Sequence, residues 1–265
     1  MTTSNTYTLY TEVNILLENF ITKVEEILKE QLNSIYIMGS LSTGGFNIKS
    51  SDIDFLVITK KDIDNKKIDN LKNIHYEIAE NNKLGKRLEG SYIAKDKIKE
   101  FEPPKQARPY IHKGQLKLLR YGNEWIIEKH VLKKYGILLR GEDIRSEIEQ
   151  MKPKDLKTAV LKILNNWWEP LLNKKNKLYD DEYQVYAILS MCRIIYTLNH
   201  GNLVSKPQAA EWAKDELNQK WIPLINSALL WSYENKFDNL NQTVDFINYT
   251  LEHSKQFNYL LKDQS

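Results

Sequence analysis

Val13, Leu16, Leu17, Phe20, Ile21, Val24, Ile27 and Leu28 recur every three or four positions, the spacing of an amphipathic first helix. A short apolar run, Ile35-Tyr36-Ile37-Met38, reads as a strand. A second strand is predicted over 53–59, where Phe55-Leu56-Val57-Ile58-Thr59 is continuously strand-forming. The Lys-, Asp- and Asn-rich stretch that follows places Ile68, Leu71, Ile74 or His75, and Ile78 on one helical face. Residues 81–86 read as a loop, and Leu88-Glu89-Gly90-Ser91-Tyr92-Ile93 as a third strand. Helix, strand, strand, helix, strand is an α/β order around a small sheet.

The texture then changes. Pro103, Pro104, Pro109 and Gly114 predict a stiff, irregular connection over 101–114. Helical character returns over 124–135, and Gly141 closes that segment. From Met151 onward glycine nearly disappears, and four apolar periodicities follow. Leu156, Val160, Leu164 and Trp167 mark one helix; Val185, Ile188, Leu189, Cys192 and Ile195 mark a second. Ser205-Lys206-Pro207-Gln208 has the form of a capping box and opens a third. Leu240, Val244, Ile247 and Leu251 mark the last. The boundary falls near 145–155, which predicts domains at 1–150 and 151–265, the second a helical bundle. There is no internal repeat and no low-complexity tract.

Composition narrows the function classes. With 42% hydrophobic and 28% charged residues the chain is an ordinary globular one, and disorder is excluded. Thirty-eight basic and 35 acidic residues leave a net charge of only +3, which gives no reason to expect nucleic acid or an anionic membrane as a partner. Cys192 is the only cysteine, so no internal disulfide or cysteine-rich zinc site can form. No run approaches the ~20 apolar residues of a membrane span. The start, Met-Thr-Thr-Ser-Asn, lacks the order of a signal peptide. A cytoplasmic monomer is expected.

The chemistry concentrates around Gly39-Ser40 and, eleven residues on, Ser51-Asp52-Ile53-Asp54. Alternation along a strand puts Asp52 and Asp54 on one face and Ile53 and Phe55 on the other. Neighbouring carboxylates repel unless a cation lies between them. Oxygen-only ligands suit Mg²⁺, which binds through one or two carboxylates plus substrate phosphates. Gly39 would allow close backbone approach to those phosphates, and Ser40 can bond them or simply serve the turn.

Gly39-Ser40 through Asp52-Ile53-Asp54 resembles the signature of the polymerase-β-like nucleotidyltransferase superfamily. Residues 203–213 (Leu-Val-Ser-Lys-Pro-Gln-Ala-Ala-Glu-Trp-Ala) are similar to a C-terminal segment of the aminoglycoside (3'')(9)-adenylyltransferases. Tyr121-Gly122-Asn123-Glu124-Trp125 and Arg87-Leu88-Glu89 resemble two further blocks of that family, in the same order. The resemblance implies an α+β fold: a nucleotidyltransferase domain with a small mixed sheet flanked by helices, then a helical bundle. It implies Mg²⁺- and ATP-dependent adenylylation of a hydroxyl of spectinomycin or streptomycin, giving resistance, with ATP entering between the domains.

By the same resemblance Asp52 and Asp54 hold the metal, and Glu89 is the catalytic base. Glu89 could also ligate a second metal; the alternative reading is an edge-strand glutamate facing water. Arg193 and Lys206, thirteen residues apart, match the phosphate-contacting arginine and lysine. An arginine within the apolar stretch Cys192-Arg193-Ile194-Ile195 needs an anion or an internal ion pair to offset its burial. Trp125 corresponds to the tryptophan that packs on the drug, although core packing suits it as well.

The chain departs from the family pattern at Tyr179-Asp180-Asp181-Glu182-Tyr183-Gln184. Counting back from Arg193 puts Tyr183 where the family has its drug-contacting aspartate, with Asp181 and Glu182 one or two residues away. Two other classes stay open: a toxin–antitoxin nucleotidyltransferase that adenylylates protein or RNA, and a binding protein on the same fold without turnover.

Overall fold

The apolar stripe of the first helix does what its spacing predicts. In α1 (Thr11–Leu28), Val13, Leu16, Leu17, Phe20, Ile21, Val24 and Leu28 are all fully buried. The computed structural model describes residues 6–262; the polar start of the chain, residues 1–5, lies outside them. The chain divides into two units. One comprises Met1–Phe46 and Ser51–Gln150, the other Asn47–Ser50 and Met151–Ser265.

The first unit is built on a mixed sheet. Its elements after α1 are β1 (Leu32–Ile37), α2 (Gly39–Thr43), β2 (Ile53–Thr59), α3 (Asn65–Asn81) and β3 (Leu88–Ala94). Then come α4 (Lys95–Lys99), β4 (Ala107–His112), β5 (Gln115–Arg120), α5 (Trp125–Tyr135) and β6 (Ile137–Gly141). The six strands run in the order β5-β4-β3-β2-β1-β6. Only β2 and β3 are parallel, because α3 carries the chain back between them.

Side-chain alternation divides the sheet into an apolar face and a chemical one. Phe55 and Val57 of β2 lie opposite Gly90 and Tyr92 of β3. On that face Phe20 of α1 packs on Phe55 with ring centroids 4.6 Å apart, and His75 of α3 stacks on Phe55 at 5.5 Å. Burying Phe20 or Phe55 in this way stabilises the fold by roughly 1.5–3 kcal/mol. Asp54 and Glu89 occupy the alternate positions and therefore face the other way.

Two expectations from the sequence give way here. The segment 101–114 is not wholly irregular, since β4 and its hairpin with β5 occupy its second half. Pro109 disguised the strand, yet it is tolerated because the β3–β4 ladder ends at Ser91 opposite Tyr110, just short of it. Gly39-Ser40 opens a short helix, α2, where a plain turn was expected.

The second unit is helical: α6 (Pro153–Ile163), α7 (Glu169–Asn173), α8 (Asp181–His200), α9 (Lys206–Glu216), α10 (Ile222–Leu230), α11 (Leu240–Ser254) and α12 (Tyr259–Lys262). α8 is its axis, burying Val185, Ile188, Met191, Cys192, Ile195 and Leu198 against α6, α9, α10 and α11. The predicted helix through Trp167 widens into a π-helical turn at Leu164–Trp168 before α7, and α10 was not foreseen. Asn47–Ser50 joins this unit in part through the Tyr233 amide, which donates to the Lys49 carbonyl at 3.3 Å. Among the described residues no helix is long and apolar enough to cross a membrane.

Candidate active site

Parallel pairing of β2 with β3 sets Asp54 directly beside Glu89. The Met38 amide, at the end of β1, donates to the Asp54 carbonyl at 2.8 Å and so ties the start of α2 to this position. The next residue, Gly39, has φ +56°, a left-handed backbone. A Cβ there would lie 1.8 Å from Asp54 Oδ2. Glycine is required at this point to leave room for the carboxylate. Ser42 and Thr43 hydroxyls donate to the Gly39 carbonyl at 3.0 and 2.9 Å, which closes the short turn of helix. Ser40 Oγ is buried without a hydrogen-bond partner, a costly state for a hydroxyl unless something else completes it.

Asp52 lies one residue ahead of β2. The Arg87 guanidinium fixes the approach to it, donating through Nε to the Ser51 carbonyl at 2.9 Å. Asp52 and Asp54 are both half-buried. Two carboxylates with a buried, unsatisfied hydroxyl nearby in sequence form an oxygen-only donor set of the kind Mg²⁺ takes. Among the described residues no group of three or more His, Cys, Asp or Glu side chains could hold a metal. An ion held by these two carboxylates would be completed by substrate phosphates.

Glu89 is engaged elsewhere. Tyr110 Oη donates to its Oε1, and His112 Nδ1 donates to its Oε2 at 2.9 Å. Burial, first, and the adjacent Glu89 carboxylate, second, push the Tyr110 phenol far above its ordinary range, so it remains a donor. The hydrogen bond to Glu89 raises His112, with burial opposing. The Glu89 side chain keeps 21% of its surface, enough for a further hydroxyl to reach it.

Further along β4, Arg108 is buried and grips Glu128 of α5 with two bonds, 3.0 and 2.7 Å. Its guanidinium lies 4.5 Å over the Tyr121 ring. Trp125 does not take the place expected of a drug-stacking tryptophan. It is 0% exposed, its Nε1 donates to the Glu100 carbonyl at 3.2 Å, and Tyr121 packs edge-on against it. A ring with no free face cannot stack on a ligand, so its role in this structure is packing.

In the second unit, Asp180 caps α8 by accepting the Tyr183 amide at 2.9 Å. Asp181 Oδ2 accepts the Phe237 amide at 2.8 Å, and Glu182 Oε1 accepts the Tyr233 hydroxyl at 3.3 Å. The Tyr183 hydroxyl accepts from Trp167 Nε1 at 3.0 Å, and burial pushes this phenol up to about 12. Arg193 lies on α8 two turns beyond Tyr186, on the same face. Lys206 opens α9, its Nζ 4.1 Å over the Tyr186 ring. Ser205 and Gln208 form the expected capping box. The structure thus gathers Gly39, Ser40, Asp52, Asp54 and Glu89 on the first unit, and Asp181, Glu182, Tyr183, Arg193 and Lys206 on the second.

Tyr110 and His112 escaped the sequence reading. The signal was available in Arg108-Pro109-Tyr110-Ile111-His112, where polar and apolar residues alternate as on a half-buried strand, but the prolines masked it.

Two family models match the chain. A nucleotidyltransferase domain covers residues 17–163, more than half the chain, and an aminoglycoside adenylyltransferase C-terminal domain covers residues 148–256. A spectinomycin 9-adenylyltransferase from Staphylococcus aureus is 25% identical over 217 residues, 77% of this chain and 79% of that protein. Another, from Enterococcus faecalis, is 24% identical over 252 residues, 88% of this chain and 95% of its own length. The crystal structure of the Enterococcus faecalis spectinomycin adenyltransferase with ATP and spectinomycin shares the fold. It has a TM-score of 0.71 and 19% identity, over 90% of this chain and 98% of that one. The chain belongs to the nucleotidyltransferase family of enzymes and, within it, to the aminoglycoside adenylyltransferases.

Proposed function

We propose that this enzyme transfers AMP from ATP to a hydroxyl of spectinomycin, with streptomycin as the second acceptor to be tested. The observation that carries the reading is the pairing of Asp54 with Glu89 in parallel register, with Gly39 folded against the Asp54 carboxylate. Each residue then has a distinct task. Glu89 accepts the proton of the attacking hydroxyl. The hydroxyl oxygen forms a bond to the α-phosphorus of ATP as the bond from that phosphorus to pyrophosphate breaks.

Asp52 and Asp54 would hold Mg²⁺, which when bound supplies Lewis-acid stabilisation of the phosphate oxygens. Ser40 Oγ, buried and unbonded, is suited to donate to a phosphate oxygen. Arg193 and Lys206 contribute positive charge to the triphosphate. Lys206 does so from the first turn of α9, where the helix dipole also favours anions. Asp181, which accepts the Phe237 amide, and Glu182, which accepts the Tyr233 hydroxyl, are acceptor-only carboxylates of the kind that meet the ammonium groups of a drug.

Spectinomycin is placed first because the relatives named above act on it. The test is pyrophosphate release from ATP and MgCl₂ with and without spectinomycin. Wild-type protein should release pyrophosphate only with drug, and Asp52→Asn or Asp54→Asn should reduce that release at least about 100-fold, as expected when transition-state charge stabilisation is lost. Undiminished turnover in both variants would refute the metal assignment.

A further inference from the structure

Three alternate residues of β4 each grip a carboxylate: Arg108 holds Glu128, while Tyr110 and His112 hold the two oxygens of Glu89. β3 and β4 pair with Gly90 opposite Ile111 and Ser91 opposite Tyr110. Extending that register puts His112 opposite Glu89 and Tyr110 on its diagonal, all on one face. β4 is itself paired with β5 from Ala107–Arg120 to His112–Gln115. The two donors are therefore mounted on a rigid element.

Resting on the adenylyl-transfer reading above, we propose that Tyr110 and His112 are positioning residues for the general base. A glutamate has three rotatable side-chain bonds, and a carboxylate bonded through one oxygen could still swing. Bonds to both oxygens, from two side chains of one strand, fix the plane of the Glu89 carboxylate. An ionised carboxylate offers about four acceptor positions. Two are taken, and the rest stay open for the acceptor hydroxyl.

In the transfer step the hydroxyl proton passes to Glu89 as its oxygen bonds phosphorus and pyrophosphate departs. The Tyr110 and His112 protons stay on their own atoms throughout.

The experiment compares steady-state kinetics of the full-length protein, with ATP, MgCl₂ and spectinomycin, for Tyr110→Phe, His112→Asn, His112→Leu and the double variant Tyr110→Phe/His112→Leu. The double variant should lose about 100-fold in kcat, the size of effect a displaced catalytic group produces. Both KM values should stay within about threefold, since ground-state binding is untouched. His112→Asn keeps an N–H donor near the Nδ1 position and should retain about tenfold more kcat than His112→Leu, on the same reasoning. Melting temperatures of all variants check folding. His112 is 47% exposed, so the His112 pair stands as a test even if Tyr110→Phe fails to fold.

A double variant with kcat within threefold of wild type overturns the inference. So does equal activity of His112→Asn and His112→Leu, or a loss confined to KM. A wild-type protein that transfers no AMP to any drug overturns the functional reading, and this inference falls with it.

Discussion

Gly39→Ala separates folding from chemistry at this site. The added methyl would lie 1.8 Å from Asp54 Oδ2 and 2.5 Å from its Cγ. Ordinary contact begins at 3.4 Å, so the carboxylate must retreat by about 1.6 Å, a displacement of the order that costs about 100-fold in rate when it misplaces a catalytic group. The atom displaced is the end of a side chain, so the fold can absorb the change by moving Asp54. The φ of +56° adds a backbone penalty of roughly 1–2 kcal/mol for a residue with a Cβ. For a unit of this size that corresponds to a fall in Tm of about 2–8 °C. Calorimetry and drug-dependent pyrophosphate release on the same preparation should thus show a folded protein with kcat/KM down about 100-fold. A variant that keeps kcat/KM within threefold would refute the argument that Gly39 exists to seat Asp54.

Two other predictions concern stability. His75 is fully buried, bonded to the Tyr92 hydroxyl at 2.7 Å, and burial lowers it to about 3. Between its ordinary pKa and about 3 the unfolded chain binds a proton that the folded chain refuses. Stability should therefore be lost as the pH falls through that window, by about 1.4 kcal/mol per unit from this residue. Denaturant melts at successive pH values should show this slope reduced in His75→Gln, and an unchanged slope would remove His75 from the account. Ser205→Ala removes one half of the capping box of α9 and should cost about 1 kcal/mol, read as a lower denaturation midpoint; no shift would mean the cap is replaced by water.

Much of the fold was legible because burial imposes periodicity. The stripes of α1, α3 and α8 and the apolar runs of β1, β2 and β3 each reflect one dominant demand, enclosure in a core. The hairpin of β4 and β5 was hidden because its residues answer to the site instead. Arg108, Tyr110 and His112 turn toward carboxylates, and β5 is an exposed edge with Leu118 at 58% and Leu119 at 41%.

The site followed the same division. Asp54 and Glu89 could be singled out as candidates because strand and loop order frame them, but their adjacency depends on the parallel register, which no local pattern specifies. Trp125 misled for the opposite reason. Its type suits both a drug platform and a core, and only its complete burial decides between them.

The central claim is tested most directly by mass spectrometry of spectinomycin incubated with the wild-type protein, ATP and Mg²⁺. The predicted result is a drug product heavier by one AMP, formed with an equal amount of pyrophosphate and absent with Glu89→Gln. Unmodified drug with the wild-type protein, or full modification with Glu89→Gln, would contradict it.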